Sequence, residues 1–374
     1  MNWDYRQPVA IVFGSGKLAE LGQIARQYGY ANGLVVADPF FEKSGLVAQV
    51  LQSSDGRVTG AFTEISPNPD VEEVDACARR LRSGNHDFVV ALGGGSALDC
   101  AKAAAGIALS GDSICRYHGT GIPLPPDHLP VIAVPTTAGT GSEVTCVSVV
   151  SDRSRGVKAP IVSEHFYPVC ALIDPALTAT LPPQVTASTG IDVLCHALEG
   201  FWSRGHQPIC DALALQAARQ VFRFLPRAYE NPGDMAAREG MCEASVMAGL
   251  AFTLPKTTAS HACSFPLTNR YHIPHGEACG LTLDWFIRVN REGPEGGRVE
   301  EFARMLGFAD AETLAEEVAA LKRRLKLRTD LRDLQLDEAE LRQLVQESHH
   351  PNLDNNPVTV TDEMLWEMYQ GLAR

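Results

Sequence analysis

The chain has 374 residues, more than one compact core usually contains, so two domains are the first expectation. Hydrophobic residues make up 45% and charged residues 21%, which excludes the composition of a disordered protein. The net charge of −13 argues against nucleic acid or an anionic membrane as the main partner, although a few local cations can still bind a small anion.

The sequence predicts a cytoplasmic protein. No apolar run reaches the length of a membrane span, and the first residues lack the layout of a signal peptide. The 10 cysteines are scattered without a CxxC pair, which is typical of buried thiols in a reducing compartment and disfavours a zinc ribbon.

The first half alternates short apolar runs with amphipathic stretches. Helices are expected over 71–84 and 97–111, and strands over 9–14, 33–38, 58–62, 87–95, 129–137 and 169–175. This alternation predicts βαβ units, and therefore an α/β domain whose sheet is mainly parallel.

From about residue 183 the patterns become long and helical, for example over 210–230 and 234–252, and the charged tail from about 296 is helical as well. The sequence therefore predicts an α/β domain over 1–180 and an all-helical domain over 181–374. A site that used residues of both would lie in the cleft between them.

Two glycine-rich turns each follow a predicted strand. In ALGGGSALDCAK, Gly94, Gly95 and Ser96 precede a helix, and such a turn lets backbone N–H groups approach a pyrophosphate. A tight strand-to-helix turn without a ligand is the alternative. The second turn, PTTAGTGSEVT, offers the hydroxyls of Thr136, Thr137 and Ser142 to a phosphate or ribose.

Asp38 ends the predicted strand GLVVAD. A carboxylate there can accept hydrogen bonds from both ribose hydroxyls and would repel a 2′-phosphate, which favours NAD over NADP. A helix N-cap or turn role is the alternative.

Four residues form a candidate metal site. Asp192 and His196, in GIDVLCHALEG, are spaced i, i+4 and therefore project from one face of a helix, and His261 and His275 follow later in the chain. One carboxylate and three imidazoles suit Fe(II) or Zn(II) and are poor ligands for calcium or magnesium. Taken singly, each histidine is also compatible with a structural or surface role.

The motifs GGGSALDCAK, PTTAGTGSE and GIDVLCHALEG, with the histidine pair that ends in PHG, resemble the group III metal-dependent, or iron-containing, alcohol dehydrogenases over nearly the whole chain. The resemblance implies a dinucleotide-binding domain followed by a helical metal-binding domain, the dehydroquinate synthase-like architecture. It also implies an NAD(H)-dependent enzyme that interconverts an aldehyde and a primary alcohol, as a homodimer or larger oligomer.

By matching motifs, this resemblance assigns roles to individual residues. Asp192, His196, His261 and His275 take the family's metal-ligand positions, and Asp38 the position linked to NAD preference. The nicotinamide-cofactor positions fall on Gly94, Gly95, Ser96, Thr136, Thr137 and Ser142, and Lys158 matches a lysine near the cofactor.

The sequence departs from the family at Phe265, where many members carry a histidine four residues after the third ligand. A proton relay through that histidine is lost. His272 either takes over the proton transfer or only lines the site, and the sequence leaves both open.

Two cations also depart from the family. Lys256 and Arg270 stand where many relatives have a glycine and an aromatic residue, and both flank metal ligands. Cations beside a metal are costly unless an anion joins them, so we expect them to bind an anionic group of the substrate. The alternative is that Arg270 pairs with a carboxylate such as Glu277 while Lys256 faces solvent.

The segment KTTASHACSFPLTNR resembles the subgroup that reduces phosphonoacetaldehyde to 2-hydroxyethylphosphonate, which is the function expected here. A general short-chain alcohol dehydrogenase and a maleylacetate reductase-like enzyme are the rivals, because a carboxylate could use the same cations. A dehydroquinate synthase-like lyase, which regenerates NAD within each turnover, is the alternative from another class. A non-catalytic metal-binding protein would leave both glycine-rich turns unexplained.

Overall fold

The computed structural model describes residues 3–294 and 296–374, which divide into two compact units. The α/β unit contains Arg6–Thr137 and Gly141–Thr178. The helical unit contains Ala179–Arg374, a short N-terminal segment that ends at Tyr5, and the three residues Ala138–Thr140. Both units are therefore discontinuous in sequence.

The α/β unit is built on a six-stranded sheet in the order β1-β8-β5-β4-β2-β3, and every described strand pair in it is parallel. All six predicted strands are present. The strands in chain order are β1 (Ala10–Phe13), β2 (Gly33–Ala37), β3 (Val58–Phe62), β4 (Phe88–Gly93), β5 (Val131–Pro135), β6 (Val147–Asp152), β7 (Val157–Val162) and β8 (Cys170–Ile173). The remaining two, β6 and β7, form an antiparallel hairpin that the sequence analysis did not predict.

Central strands of this sheet are buried on both faces. In β4, Val89 and Ala91 contribute to one hydrophobic cluster, while Val90 and Leu92 contribute to the cluster on the opposite face. This is why the strand is a continuous apolar run rather than an alternating one. The helices of this unit are α1 (Leu21–Gln27), α2 (Pro39–Lys43), α3 (Leu46–Ser53), α4 (Val71–Ser83) and α5 (Gly95–Ile107).

The described residues of the helical unit contain no strand, as the sequence predicts. Its helices are α6 (Pro183–Trp202), α7 (Pro208–Glu230), α8 (Met235–Phe252), α9 (Ala259–Tyr271), α10 (His275–Arg291), α11 (Gly296–Leu306), α12 (Ala311–Arg324), α13 (Glu338–Glu347), α14 (Pro351–Asp354) and α15 (Asp362–Ala373). No helix in the described part of the chain has the length and apolar character that a membrane crossing requires.

Helix α6 is the centre of the helical unit, because it is buried around almost its whole circumference from Thr186 to Trp202. Helix α10 approaches it closely at Gly276, where an added Cβ would lie 2.0 Å from the Ser188 carbonyl oxygen and 2.8 Å from the Asp192 Cβ. Only glycine permits this approach. It brings the first turn of α10, which begins at His275, beside Asp192 on α6.

Candidate metal and cofactor sites

Three of the four predicted metal ligands converge inside the helical unit. Asp192 on α6, His261 on α9 and His275 at the start of α10 lie together with Cys279, and their ligand atoms are all within 4.8 Å of one another. Asp192 and His261 are buried, and His275 is partly exposed. A carboxylate, two imidazoles and a thiol thus surround one small volume.

His196, the fourth predicted ligand, lies beside this group. Its Nε2 is 4.0 Å from the Asp192 Oδ1, one helical turn away on α6. The ring is stacked between Phe252, at a centroid distance of 4.1 Å, and His261, at 4.7 Å. The i, i+4 spacing in the sequence therefore places both side chains at the same cluster.

The cluster has the electrostatic character of a cation site. Asp192 Oδ1 and His261 Nε2 are buried without a hydrogen-bond partner among the described residues, a costly state that a cation would relieve. Burial would raise the pKa of Asp192, but the surrounding histidines, His196 first, hold it well below its usual range. The carboxylate is therefore charged and available to a metal.

The two buried histidines respond to this negative environment differently. Burial lowers the pKa of His196 to about 4, so its imidazole is neutral, which is the form that binds metals. Burial also opposes a charge on His261, but its acidic neighbours, led by Cys279 and Glu199, raise its pKa well above the usual value. A positive charge is thus favoured at the position where a metal would bind. The residues present fit a divalent cation.

Glu199, which the sequence analysis did not single out, orients His261. Its fully buried carboxylate accepts hydrogen bonds from Ser260 N at 2.7 Å, from Thr258 Oγ1 at 3.0 Å and from His261 N at 3.3 Å. The His261 Nδ1 donates to the other oxygen of the same carboxylate. This holds the proton on Nδ1 and leaves Nε2 directed at Asp192, 3.6 Å away.

Cys279 is the second residue of the cluster that the sequence analysis missed. It lies one turn after His275 on α10, and its Sγ is 3.8 Å from the His275 Nε2. Burial raises the pKa of this thiol, while His261 lowers it. Its i, i+4 spacing from the predicted ligand His275 could have identified it. That spacing did not distinguish it, because the chain contains 10 cysteines and most of them are buried without such a neighbour in the predicted site.

Arg270 and Lys256, the two predicted substrate-binding cations, have the environment expected if they do not bind substrate: one pairs with a carboxylate and the other is exposed. Arg270, in the last turn of α9, pairs with Glu347 at 3.0 Å. Its partner is not Glu277, whose carboxylate accepts a hydrogen bond from the backbone N of Arg328. Lys256 is exposed and has a left-handed backbone, with φ of 65°.

His272, the predicted alternative proton donor, caps the C-terminus of α9 in a left-handed conformation, with φ of 55°. Its side chain is exposed. This is the conformation by which helices commonly end, usually with glycine or asparagine. The position therefore has a structural explanation of its own.

In the α/β unit, the two glycine-rich turns lie side by side. They follow β4 and β5, which are neighbours in the sheet, and the Thr136 N donates to the Gly93 carbonyl at 2.9 Å. An added Cβ at Gly94, the N-cap of α5, would lie 3.3 Å from the Thr137 side chain. Gly95 is the first residue of α5. The carboxyl ends of adjacent parallel strands are where dinucleotides bind in such sheets.

Asn68 joins two of the predicted cofactor residues. Its backbone N donates to Ser96 Oγ at 3.1 Å, and its Oδ1 accepts from Lys158 Nζ at 2.7 Å. The residue has a left-handed backbone, with φ of 56°. Asn68 thus brings the lysine of β7 to the first turn of α5, and no sequence motif pointed to it.

Ser142 belongs to a buried polar network. Its hydroxyl donates to Asp99 Oδ1 at 2.6 Å, and its carbonyl accepts from Lys102 Nζ at 3.0 Å. Burial raises the pKa of the neighbouring Glu143 to about 7. This network anchors the second glycine-rich segment to α5, so a role of Ser142 in shaping the turn is visible in the structure.

Asp38 has the helix-capping role that was the alternative interpretation. Its Oδ1 accepts from the Phe40 N at 2.7 Å, and the residue is the N-cap of α2. It follows β2, which pairs with β4 in the sheet. Its position is therefore at the same edge as the glycine-rich turns.

A charged carboxylate–imidazole cluster in a helical unit, together with glycine-rich turns on a parallel sheet, defines a metal-dependent dehydrogenase. The chain belongs to the iron-containing alcohol dehydrogenase family. Residues 8–175 match the family model described as "Iron-containing alcohol dehydrogenase", and residues 186–372 match "Fe-containing alcohol dehydrogenase family, C-terminal". The predicted family and the predicted class of enzyme are both confirmed.

Among characterised relatives, the chain is 34% identical to alcohol dehydrogenase 4 of Schizosaccharomyces pombe, over 89% of this chain and 80% of that protein. It is 36% identical to a 1-propanol dehydrogenase of Salmonella typhimurium, over 82% of this chain and 79% of that protein. These relatives are dehydrogenases, which supports oxidoreductase chemistry over the lyase alternative.

Among solved structures, the chain is similar to the sulfoacetaldehyde reductase of Bifidobacterium kashiwanohense, which was crystallised in complex with NAD+. The two are 58% identical with a TM-score of 0.98, over 100% of this chain and 99% of that chain. An iron-containing alcohol dehydrogenase of Thermotoga maritima is 32% identical with a TM-score of 0.87, over 100% and 99% of the two chains.

Proposed function

We propose that this protein is an NAD(H)-dependent aldehyde reductase that converts sulfoacetaldehyde to 2-hydroxyethanesulfonate. The observation that carries the proposal is the 58% identity over the full chain to a sulfoacetaldehyde reductase, against 34% and 36% for relatives that are named for simple alcohols. In the reaction the carbonyl carbon gains a hydride, the oxygen gains a proton, and NADH becomes NAD+.

The charges of the helical unit favour a sulfonate over the phosphonate that the sequence analysis expected. A sulfonate has one negative charge, whereas a phosphonate approaches two at neutral pH. The charge of Arg270 is already neutralised by Glu347, which leaves Lys256 as the cation of the predicted pair without a carboxylate partner among the described residues. Phosphonoacetaldehyde is the second candidate, because it has the same two-carbon aldehyde and a similar tetrahedral head group.

The helical unit is the proposed metal-binding domain. Asp192, His196, His261 and His275 would hold one divalent ion, Fe(II) or Zn(II). When bound, such an ion supplies a Lewis acid that polarises a carbonyl group. The residues contribute a carboxylate that is already ionised, a neutral His196 ring and, through Glu199, a fixed orientation of His261.

The α/β unit is the proposed dinucleotide-binding domain, and NADH, when bound there, supplies the hydride. Backbone N–H groups at the start of α5 would bind the pyrophosphate. Lys158, fixed by Asn68, would place its charge beside this turn. The residues proposed to contact the cofactor are Asp38, Gly94, Gly95, Ser96, Thr136, Thr137, Ser142 and Lys158.

The substrate is tested by NADH oxidation with the metal-loaded enzyme and four aldehydes: sulfoacetaldehyde, phosphonoacetaldehyde, propanal and succinic semialdehyde. We expect sulfoacetaldehyde to have the highest kcat/KM. If propanal is turned over as efficiently, the protein is a general alcohol dehydrogenase. If succinic semialdehyde exceeds both anionic two-carbon aldehydes, a carboxylate-specific enzyme replaces the proposal.

The roles of the metal and of NADH are tested separately. Removing the metal with a chelator should abolish turnover while NADH binding, followed by fluorescence, stays nearly unchanged. An undiminished rate in fully demetallated protein would contradict metal-dependent chemistry. Substrate consumption without net loss of NADH absorbance would indicate the lyase class instead.

A further inference from the structure

The stretch from Glu347, the last residue of α13, to Asn352 in α14 runs antiparallel along α9. Glu347 pairs with Arg270 in the last turn of that helix. The His350 ring then lies against the Phe265 ring, with centroids 4.7 Å apart. Finally the Asn352 Nδ2 donates to Thr257 Oγ1 at 2.8 Å, just before α9 begins. The contacts fix His350 halfway along the helix that carries the ligand His261.

Phe265 contacts His350 and also lies near the metal cluster. Its ring is nearly parallel to that of His275, with centroids 6.3 Å apart and an interplanar angle of 15°. Phe265 is also the residue that replaces the family's histidine. A substrate whose carbonyl faces the metal ligands would therefore have the apolar ring of Phe265 near it, with the imidazole of His350 against that ring.

The hydrogen bonds of His350 determine what its ring can offer. The Nδ1 accepts from the backbone N of Asn352 at 3.2 Å, which places the proton of a neutral ring on Nε2. Burial lowers the pKa of His350; the Asn352 side chain opposes this and nearby His261 acts with burial, so the neutral ring is favoured. The one hydrogen bond to a ring atom that is described reaches Nδ1 and not Nε2, and the side chain is only partly buried. The ring thus presents one available N–H donor.

We infer that His350 determines substrate specificity: its Nε2–H donates a hydrogen bond to the oxyanion head group of the substrate. This inference rests on the proposed function and deepens it. In a two-carbon aldehyde one methylene separates the carbonyl carbon from the head group, and Phe265 supplies an apolar surface for that methylene. A neutral N–H donor suits a monoanionic sulfonate, since it stabilises the anion without adding a further positive charge to those of Lys256 and of the metal that the cluster would hold.

The variants His350→Asn and His350→Gln test this inference. Asparagine retains a side-chain oxygen near the position of Nδ1 and is a favoured N-cap, so the Asn352 contact and the fold are preserved while the Nε2–H donor is lost. Glutamine instead extends an amide N–H towards the position of Nε2. The neighbouring His349→Asn is the matched control, because His349 pairs with Asp362 and lies in no contact described for the cluster.

For His350→Asn we expect kcat/KM with sulfoacetaldehyde to fall roughly 10- to 100-fold, mainly through KM, as for a lost hydrogen bond to a charged group. Propanal turnover and metal content should stay at the wild-type level. His350→Gln should recover most of the loss, and His349→Asn should change neither substrate.

Three outcomes would overturn the inference. In the first, His350→Asn keeps the wild-type preference for sulfoacetaldehyde over propanal, which leaves the proposed function intact. In the second, both substrates lose activity equally, which indicates a structural role. In the third, the wild-type enzyme itself has no preference for sulfoacetaldehyde, in which case the proposed function fails together with the inference.

Discussion

Replacing Glu199 with glutamine should weaken metal binding without unfolding the protein. The amide oxygen of glutamine can keep the three hydrogen bonds that one carboxylate oxygen accepts, from Ser260 N, Thr258 Oγ1 and His261 N. The amide nitrogen would then face the His261 Nδ1–H. Two N–H groups cannot form a hydrogen bond with each other. The His261 ring must therefore either lose its hydrogen bond to residue 199 or move its proton from Nδ1 to Nε2, the atom that faces Asp192.

The expected magnitude follows from the contact that is lost. A hydrogen bond to a charged group contributes about 1.5 to 3 kcal/mol, which corresponds to a roughly 10- to 100-fold weaker metal affinity, the usual range for partners of metal-binding histidines. The assay is competition for Zn(II) or Co(II) between the apoprotein and a chromophoric chelator. With Co(II), the visible absorption bands report the ligand geometry independently of turnover.

Glu143→Gln is the matched control, because it changes another buried glutamate, one that belongs to the α/β unit and is not a member of the metal cluster. It should bind metal as the wild type does. If folded Glu199→Gln also binds Zn(II) and Co(II) with wild-type affinity and an unchanged Co(II) spectrum, then Glu199 does not orient His261 and the reasoning is wrong.

Three further predictions concern stability and the cofactor. Burial raises the pKa of Glu143 from 4.5 to about 7, so the folded state binds the proton more tightly than the unfolded state, and stability falls as pH rises through this interval. The free energy of unfolding of Glu143→Gln, measured with urea, should therefore rise by about 2–3 kcal/mol relative to that of the wild type between pH 5 and pH 8. The same pH dependence of the unfolding free energy in both proteins would contradict this. Asn68→Ala should weaken NADH binding roughly 3- to 10-fold in a fluorescence titration while metal affinity stays constant, and an unchanged Kd would remove this residue from the cofactor site. Gly276→Ala should lower the free energy of unfolding by about 1–3 kcal/mol, because its Cβ would lie 2.0 Å from the Ser188 carbonyl oxygen. The control Gly371→Ala should raise it by up to about 1 kcal/mol, because no atom lies within 4 Å of the added Cβ in that helix. A wild-type unfolding midpoint for Gly276→Ala would show that α10 can shift away from α6 without cost.

Most of the fold was predictable, because its determinants are local. Strands β2, β4 and β5 are buried at every position and so appear as uninterrupted apolar runs. The β6–β7 hairpin lacked such a signal: β7 contains Pro160 and Lys158, and its residues are mostly partly or fully exposed. A strand that is stabilised mainly by one partner strand has no apolar run to reveal it.

The candidate site was predictable where residue spacing or a motif identified its residues. It was not predictable where a side chain pairs with a residue that only the tertiary fold brings near. Asp192 and His196 are found from one helical turn of sequence. Glu199 on the same helix finds its partners in the turn that begins α9, which no local pattern encodes. The pairing of Arg270 with Glu347 is of the same kind, because it depends on how the segment after α13 lies along α9.

The assignment of Ala138–Thr140 to the helical unit has a consequence for synthesis of the chain. These three residues lie within the second glycine-rich turn, and an added Cβ at Gly139 would lie only 2.7 Å from the Thr189 Cβ on α6. A ribosome synthesises the chain at roughly 5–20 residues per second. These three residues therefore emerge seconds before α6, the helix that they contact. In the nascent chain Ala138–Thr140 must therefore wait without their contact to α6, although the Ser142 network already anchors the residues that follow them to α5. Ribosome stalling before α6 would leave these three residues open to proteases.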